Sequence, residues 1–342
     1  MAATLPPETV TVKKQVLSDL ALLAVAFVWG ATFVLIKDIV EQLSPLIFLT
    51  ARFALGSLSL ALIMLFLGKW RGLTMREVVW GSLIGMALWV GYAFQTIGIQ
   101  DTTASNAGFI TGLAVVLVPV LGLFVLRYKP GAWAWTGVAL AAMGLAMLSL
   151  RFDQAVVTGN FNEVLRLNPG DPIVLVCAFA FALQILFISR VAKWGDPLRV
   201  TMIQILVAGL LNGFGALLFE TPTSNIGAEV WAGIAFMGII ATAAAITIQM
   251  TVQRYTTAVH TALIFTLEPV FAAMFGIALH GDRFGPIALS GGALILAGMI
   301  IAELGPHMGT LRTRRTRTLA ANPKQLIPAV EARTDLPHSD VS

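Results

Sequence analysis

Ten apolar runs, each about twenty residues long, follow one another along the chain, separated by short polar breaks. They cover residues 20–37, 46–67, 78–99, 103–126, 132–150, 172–190, 198–219, 229–250, 257–279 and 286–303. At ~1.5 Å of rise per residue such a run crosses a ~30 Å hydrocarbon layer as a helix, which also satisfies its own backbone groups in lipid. The pattern predicts an all-α integral membrane protein of ten transmembrane helices. Pro45 and Pro197 open the second and seventh runs, where a missing amide donor does no harm. A polar arm, 1–19, precedes the first run. Residues 151–171 are expected as an external surface loop, and 305–342 as a basic, unstructured cytoplasmic tail.

The runs are not independent of one another. Shifting the chain on itself by 154 residues matches 13 of the 44 positions from Thr102 to Leu145 without a gap, among them Gly122/Gly276, Gly131/Gly285, Gly137/Gly291 and Gly144/Gly298. Ser44-Pro45 and Asp196-Pro197 correspond under a shift of 152, which carries the match beyond its strongest half. The chain therefore reads as two copies of a five-helix unit, 20–150 and 172–304, joined by 151–171. Five spans per copy is an odd number, so the second copy enters the membrane inverted. Lys and Arg fix the orientation: with the N-terminus inside, 17 fall in inner segments and 4 in outer ones, with Arg52 within a span. The positive-inside bias places both termini in the cytoplasm of a multi-pass protein of the inner (plasma) membrane.

Composition narrows the class further. Apolar residues make up 57% of the chain, charged residues 12%, and mean hydropathy is +0.85. The net charge of +4 resides at helix ends and in the tail, so nucleic acid is not an expected partner. The single Cys177 excludes an intramolecular disulfide. No glycine-rich loop with Lys-Ser/Thr is present for ATP, and no HExxH, DDxxD or paired-His spacing for metal or acid–base chemistry. No cofactor or metal is expected, and the chain is not expected to be an enzyme.

Three runs carry a resemblance: WGATFVLIK (Trp29 to Lys37), TARFALGSLSLAL (Thr50 to Leu62) and LEPVFAAMFGIAL (Leu267 to Leu279). With GFITGLAVVLVPVLGLFVLRYKPG (Gly108 to Gly131), and in this order and doubling, the chain resembles EamA-type members of the drug/metabolite transporter superfamily. The resemblance implies ten helices in inverted repeats around a central cavity lined by spans one to four and six to nine. It also implies carriage of a small organic metabolite (an amino acid, an amine or a drug-like compound) by alternating access, with export as the expected direction. The substrate and the lipid bilayer are the expected partners; proton coupling and a homodimer are open. An intramembrane enzyme acting on a lipid-like substrate is the alternative reading.

Candidate site residues follow from polarity at membrane depth, which is costly and so usually faces a cavity or a partner. Glu268, followed by Pro269, is the foremost: a carboxyl for substrate or protons, or else a hydrogen-bonded tie between helices. On straight-helix spacing Thr257, Thr261 and Ile264 share its face. His260, whose repeat mate is Asn106, could relay protons or serve structure. Arg52 could pair with a carboxylate or reach the surface. Gln95 and its mate Gln249, with Gln184 and Gln204, offer amides for solute or for helix bridging. Trp29, Trp89 and Tyr92 could form an aromatic wall. Pro119 and Pro269 are expected to break their helices.

Overall fold

The computed structural model describes residues 12–102, 104–127, 129–149, 168–221, 226–280 and 285–321, and the single positions 156 and 159. Most of the linker expected as a surface loop, and the tail beyond 321, lie outside the described residues. Ten apolar helices run through the described part, eight of them long and apolar enough to cross a membrane and two, at the ends of the repeats, with shorter apolar stretches (Ala132–Met147 and Pro286–Ala302). They are α1 (Val12–Val40), α2 (Pro45–Phe66), α3 (Met75–Gly98), α4 in two halves (Ala104–Gly112 and Ala114–Val125) and α5 (Ala132–Ser149). The second repeat supplies α6 (Asp171–Val191), α7 (Pro197–Phe219), α8 (Ala228–Phe236 and Ala245–Val252 about a π segment, Met237–Ala244), α9 in two halves (Ala258–Phe265 and Glu268–Phe275) and α10 (Pro286–Ala321). Two boundaries move outward from expectation. The arm is helical from Val12, and α10 continues to Ala321, so residues 305–321 are helix and not unstructured tail. In both cases helix geometry simply propagates from an apolar segment into polar residues that do not oppose it.

The repeat is visible in the backbone. α3 ends in a 3₁₀ turn at Ile99–Asp101, and α8 in one at Gln253–Tyr255, 154 residues later. Thr102 and Thr256 then extend the chain at near-identical angles before α4 and α9 begin. Both of those helices break near their middles, at Leu113 and at its mate Leu267. Pro269 has no mate, since Val115 occupies its place, so the shared break is not made by proline. Pro119, expected to break α4, sits inside its second half: the break lies six residues earlier, where both repeats place it.

Inversion shows in how mated helices pack. Along α2 and α7 the close approaches run Leu46 to Gly215, Thr50 to Gly213, Phe53 to Gly209 and Gly56 to Ile205, so the two mates are antiparallel. α5 and α10 cross the same way, Gly137 against Gly298 and Gly144 against Gly291. A Cβ at Gly144 would stand 2.5 Å from the Gly291 carbonyl oxygen; only glycine lets these backbones meet. Outside this core large apolar side chains such as Phe66, Leu217 and Phe219 are exposed, which suits lipid as the solvent.

Polar ties hold the two faces of the bundle. On the predicted inner face Thr74 and Glu77 form a capping box on α3, and Glu77 also accepts from the Asp196 amide and from Arg199. Asp196 caps α7 through the amides of Leu198 and Arg199, and Lys69 Nζ reaches its carboxylate at 2.9 Å. Burial disfavours the charged Asp196, but the Lys69 hydrogen bond, the Arg199 amide and the two nearby cations outweigh it and hold the carboxyl below its ordinary value. At the opposite end of the bundle the relation is mirrored: Glu220, just past α7, accepts from the first-turn amides of Leu46 and Ile47 on α2.

Candidate functional site

α1, α3, α4, α6 and α9 enclose a cavity of about 60 Å³ at mid-depth, enough for a few water molecules. Most of its wall is built from repeat mates; α3, which gives Leu88, Tyr92 and Gln95, faces it without its mate α8. α1 gives Trp29, Thr32 and Phe33, and α6 gives Phe181, Gln184 and Ile185, each 152 residues on. α4 gives Gly108, Thr111, Ala114 and Val115, and α9 gives Ala262, Phe265, Glu268 and Pro269, each 154 residues on. Both helix breaks open onto this space. Non-helical backbone at membrane depth is tolerated where it lines such a cavity. The mates are alike in place but not in chemistry: Ala114 faces the cavity where its mate is a carboxylic acid.

Glu268 is partly accessible from the cavity and has no hydrogen bond or ion pair among the described residues. It is also the one carboxyl side chain among the described lining residues. Around it stand amides and hydroxyls. Gln95 Nε2 donates to Thr111 Oγ1 at 3.2 Å, and Thr111 lies 3.6 Å from Cys177 Sγ. Gln184 and Gln249 exchange amide contacts at 3.4 Å; Gln249 Nε2 continues to Gln253 Oε1, and Gln253 Nε2 donates to Ser189 Oγ and the Ile185 carbonyl. A buried amide chain thus runs from the cavity toward the C-terminal ends of α6 and α8. Trp29 and Arg52 hold the π segment of α8 from behind: Trp29 Nε1 donates to the Ala241 carbonyl and Arg52 Nε to Thr242 Oγ1, both at 2.7 Å. A π segment releases carbonyls from the helical ladder, and the indole takes one of them.

Of the residues singled out from sequence, Glu268, Pro269, Gln95, Gln184, Trp29 and Tyr92 line the cavity. Gln249 stands behind Gln184, and Arg52 lies behind Tyr92, its guanidinium carbon 4.5 Å from the ring centre. The others lie elsewhere. His260 Nε2 meets Asp19 of α1 at 2.9 Å, tying the N-terminal parts of α1 and α9. Gln204 is buried where α7 crosses α3 at Gly85, and Trp89 packs against the apolar core. The Asn106 side chain lies outside the described residues. Thr257, Thr261 and Ile264 do not share the Glu268 face: Thr257 caps α9, Thr261 bonds back to the Thr257 carbonyl, and the break at Leu267 turns Ala262 and Phe265 to the cavity instead. Sequence reading missed Thr111, Phe181 and Phe265, which the repeat offsets locate once one mate is known, and Gln253 with Ser189.

Two stretches, 16–150 and 168–303, each match the EamA-like transporter family. The chain belongs to that family. Among its relatives, an uncharacterized transporter of Archaeoglobus fulgidus is 32% identical over 85% of this chain and 87% of its own length. The uncharacterized inner membrane transporter YedA of Escherichia coli K12 is 25% identical over 84% of this chain and 91% of its own. A WAT1-related chloroplastic protein of Arabidopsis thaliana is 23% identical over 81% and 67%. A crystal structure 18% identical in sequence superposes with a TM-score of 0.69 over 84% of this chain and 98% of that one, which supports the fold. This EamA-like chain is a multi-pass membrane transporter.

Proposed function

We propose that the chain is a secondary carrier, not an enzyme, which exports a small organic metabolite (amino acid, amine or drug-like compound) across the cytoplasmic membrane. The motion is alternating access of the two inverted repeats about the cavity between them. One observation carries the reading: most of the cavity wall is made of repeat mates, and the two broken helices of the fold open onto it. Sites of this kind lie at the repeat interface near the midplane, with discontinuous helices contributing. Both termini are cytoplasmic in this reading, as the 17-to-4 distribution of Lys and Arg supports. Glu268 supplies the charge that handles a proton or the cationic group of the solute.

The test is saturable, gradient-driven flux in inside-out vesicles, with initial rates measured against pH for wild type and Glu268→Gln at matched abundance. The amide keeps shape and hydrogen-bonding capacity. If Glu268 handles charge, transport falls at least about tenfold, the effect of losing ~1.4 kcal/mol. If it only ties helices, the loss stays under ~1 kcal/mol. Unchanged rates with an unchanged pH profile would return Glu268 to packing.

A further inference from the structure

The seam between α3 and α6 ends in four side chains that stack crosswise. Arg76 and Trp80 lie one turn apart on α3; Arg190 in the last turn of α6 and Trp194 just past it are spaced alike. The Arg76 guanidinium carbon stands 3.9 Å from the centre of the Trp194 ring, and that of Arg190 5.3 Å from the centre of Trp80. Trp80 also meets Phe187 edge-on, and both tryptophans pack against a buried apolar cluster that includes Ile84, Ile188 and Val191. The rings are therefore held in place, and they in turn fix two long cationic side chains. Both arginines and the neighbouring Lys193 are exposed. None of the three has an ion pair among the described residues, where Glu77 is engaged by Arg199 and Asp196 by Lys69. Leu73, Met75 and Val79 are exposed beside them, so the cluster stands at the rim of the lipid-facing surface, the level at which tryptophan and arginine meet headgroups.

We propose that this cluster binds an anionic phospholipid with two phosphates, of the cardiolipin type, seated across the seam between the repeats. Stacking uses the face of a guanidinium and keeps its in-plane N–H donors for phosphate oxygens. Two such forks, one turn or ~6 Å apart along α3, meet the two phosphates, and Lys193 adds a third positive charge. A zwitterionic headgroup would bring its own ammonium into this cationic cluster and is disfavoured. The repeat makes the site one-sided. Counted from the N-caps Thr74 and Gly227, the mates of Arg76 and Trp80 are Glu229 and Gly233; at the 152-residue offset those of Arg190 and Trp194 are Asp38 and Gln42. Where one end of the bundle presents two cations over two rings, the other presents two acids and no ring. The Lys and Arg count supports placing the cationic end at the cytoplasmic leaflet, whose anionic lipids attract basic segments. Because α3 belongs to the first repeat and α6 opens the second, the bound lipid ties the repeats together at that end alone.

The purified full-length protein in detergent is mixed with cardiolipin, phosphatidylglycerol and phosphatidylethanolamine in equal amounts. Native mass spectrometry counts the lipid retained, and melting temperature is read in parallel. Cardiolipin is retained at least about tenfold better than phosphatidylethanolamine, with phosphatidylglycerol between them. Arg76→Gln and Arg190→Gln each weaken cardiolipin retention about fivefold, and together at least about tenfold, the scale of one and two charges near a membrane surface. Lys13→Gln with Lys14→Gln removes as much charge from the exposed start of α1 and changes retention less than about twofold. If the double Gln variant does not fold, Arg76→Lys with Arg190→Lys, which keeps both charges and loses the planar forks, narrows the preference for cardiolipin over phosphatidylglycerol. Cardiolipin held no better than phosphatidylethanolamine, a double variant that holds it as well as wild type, or an equal loss in the Lys13 and Lys14 control would overturn the proposal. Inorganic phosphate that stabilises the protein as much as cardiolipin does would also overturn it, by making this a site for a soluble anion.

Discussion

Replacing Arg199 with Met removes three hydrogen bonds from the Glu77 carboxylate: Nη2 to Oε1 at 2.9 Å, and Nε to Oε1 and Oε2 at 3.2 and 3.1 Å. Glu77 is 3% exposed and Arg199 18%, so water cannot readily take the place of the lost donors. Breaking a buried pair from one side costs about 3–5 kcal/mol. Here the carboxylate keeps the amides of Thr74 and Asp196 and the Thr74 hydroxyl, which lowers the expected loss to about 2–4 kcal/mol. Glu77→Gln leaves Arg199, the more exposed partner, with Asp196 still at 4.0 Å, and should cost less. The pair joins α3 of the first repeat to α7 of the second, so the loss belongs to the contact between repeats. Unfolding of the full chain in mixed micelles, titrated with SDS, measures each single change and the double change. The double variant should be more stable than the sum of the singles predicts, by at least ~1 kcal/mol. A loss below about 1 kcal/mol for Arg199→Met, the worth of an exposed pair, or strict additivity would refute the reasoning.

Three further outcomes are expected. Gly144→Ala, whose Cβ would meet Gly291 backbone oxygen at 2.5 Å, should cost about 1–3 kcal/mol in the same assay, while Gly227→Ala, with open space around it, should lose only a favoured helix N-cap, about 1 kcal/mol or less. Because the folded Asp196 carboxyl lies below its unfolded value, its tie to Lys69 contributes fully at and above the ordinary aspartate range, about pH 4, and is lost as pH falls through the folded value. Melting curves of wild type and Asp196→Asn should therefore converge only in strong acid, and convergence near pH 6 would contradict the geometry. Reporter fusions after Arg76 and Lys193 should read as cytoplasmic and a fusion after Glu229 as external; an external signal at Arg76 would undo the orientation.

Hydrophobic runs, matched glycines and the charge distribution made the ten helices and the inverted repeat legible before any coordinates. The site was legible where cost marked it: an acid or an amide at membrane depth stands out because lipid penalises it, and Glu268, Gln95 and Gln184 were found on that ground. Arg52 stood out for the same reason, but sequence could not say that a tyrosine separates it from the cavity. Helical spacing misplaced Thr261 and Ile264 because it assumes an unbroken helix, whereas α9 breaks at Leu267, two residues before Pro269. His260 was indistinguishable from a cavity residue until its partner, Asp19, arrived from a helix 241 residues away. Phe181 and Phe265 gave no signal, since an aromatic ring facing a cavity and one facing lipid are written alike.

The broken helices differ in one respect that matters for movement. In α9 the break is followed by Pro269, which has no amide to offer the Phe265 carbonyl, so the interruption there is permanent. In α4 the same place holds Val115, whose amide remains free to rejoin a continuous ladder if the two halves come into line. One joint is pinned and the other is hinged. In the carrier reading proposed above, bending and straightening would fall to the first repeat, while the acid beside the pinned joint would keep its place.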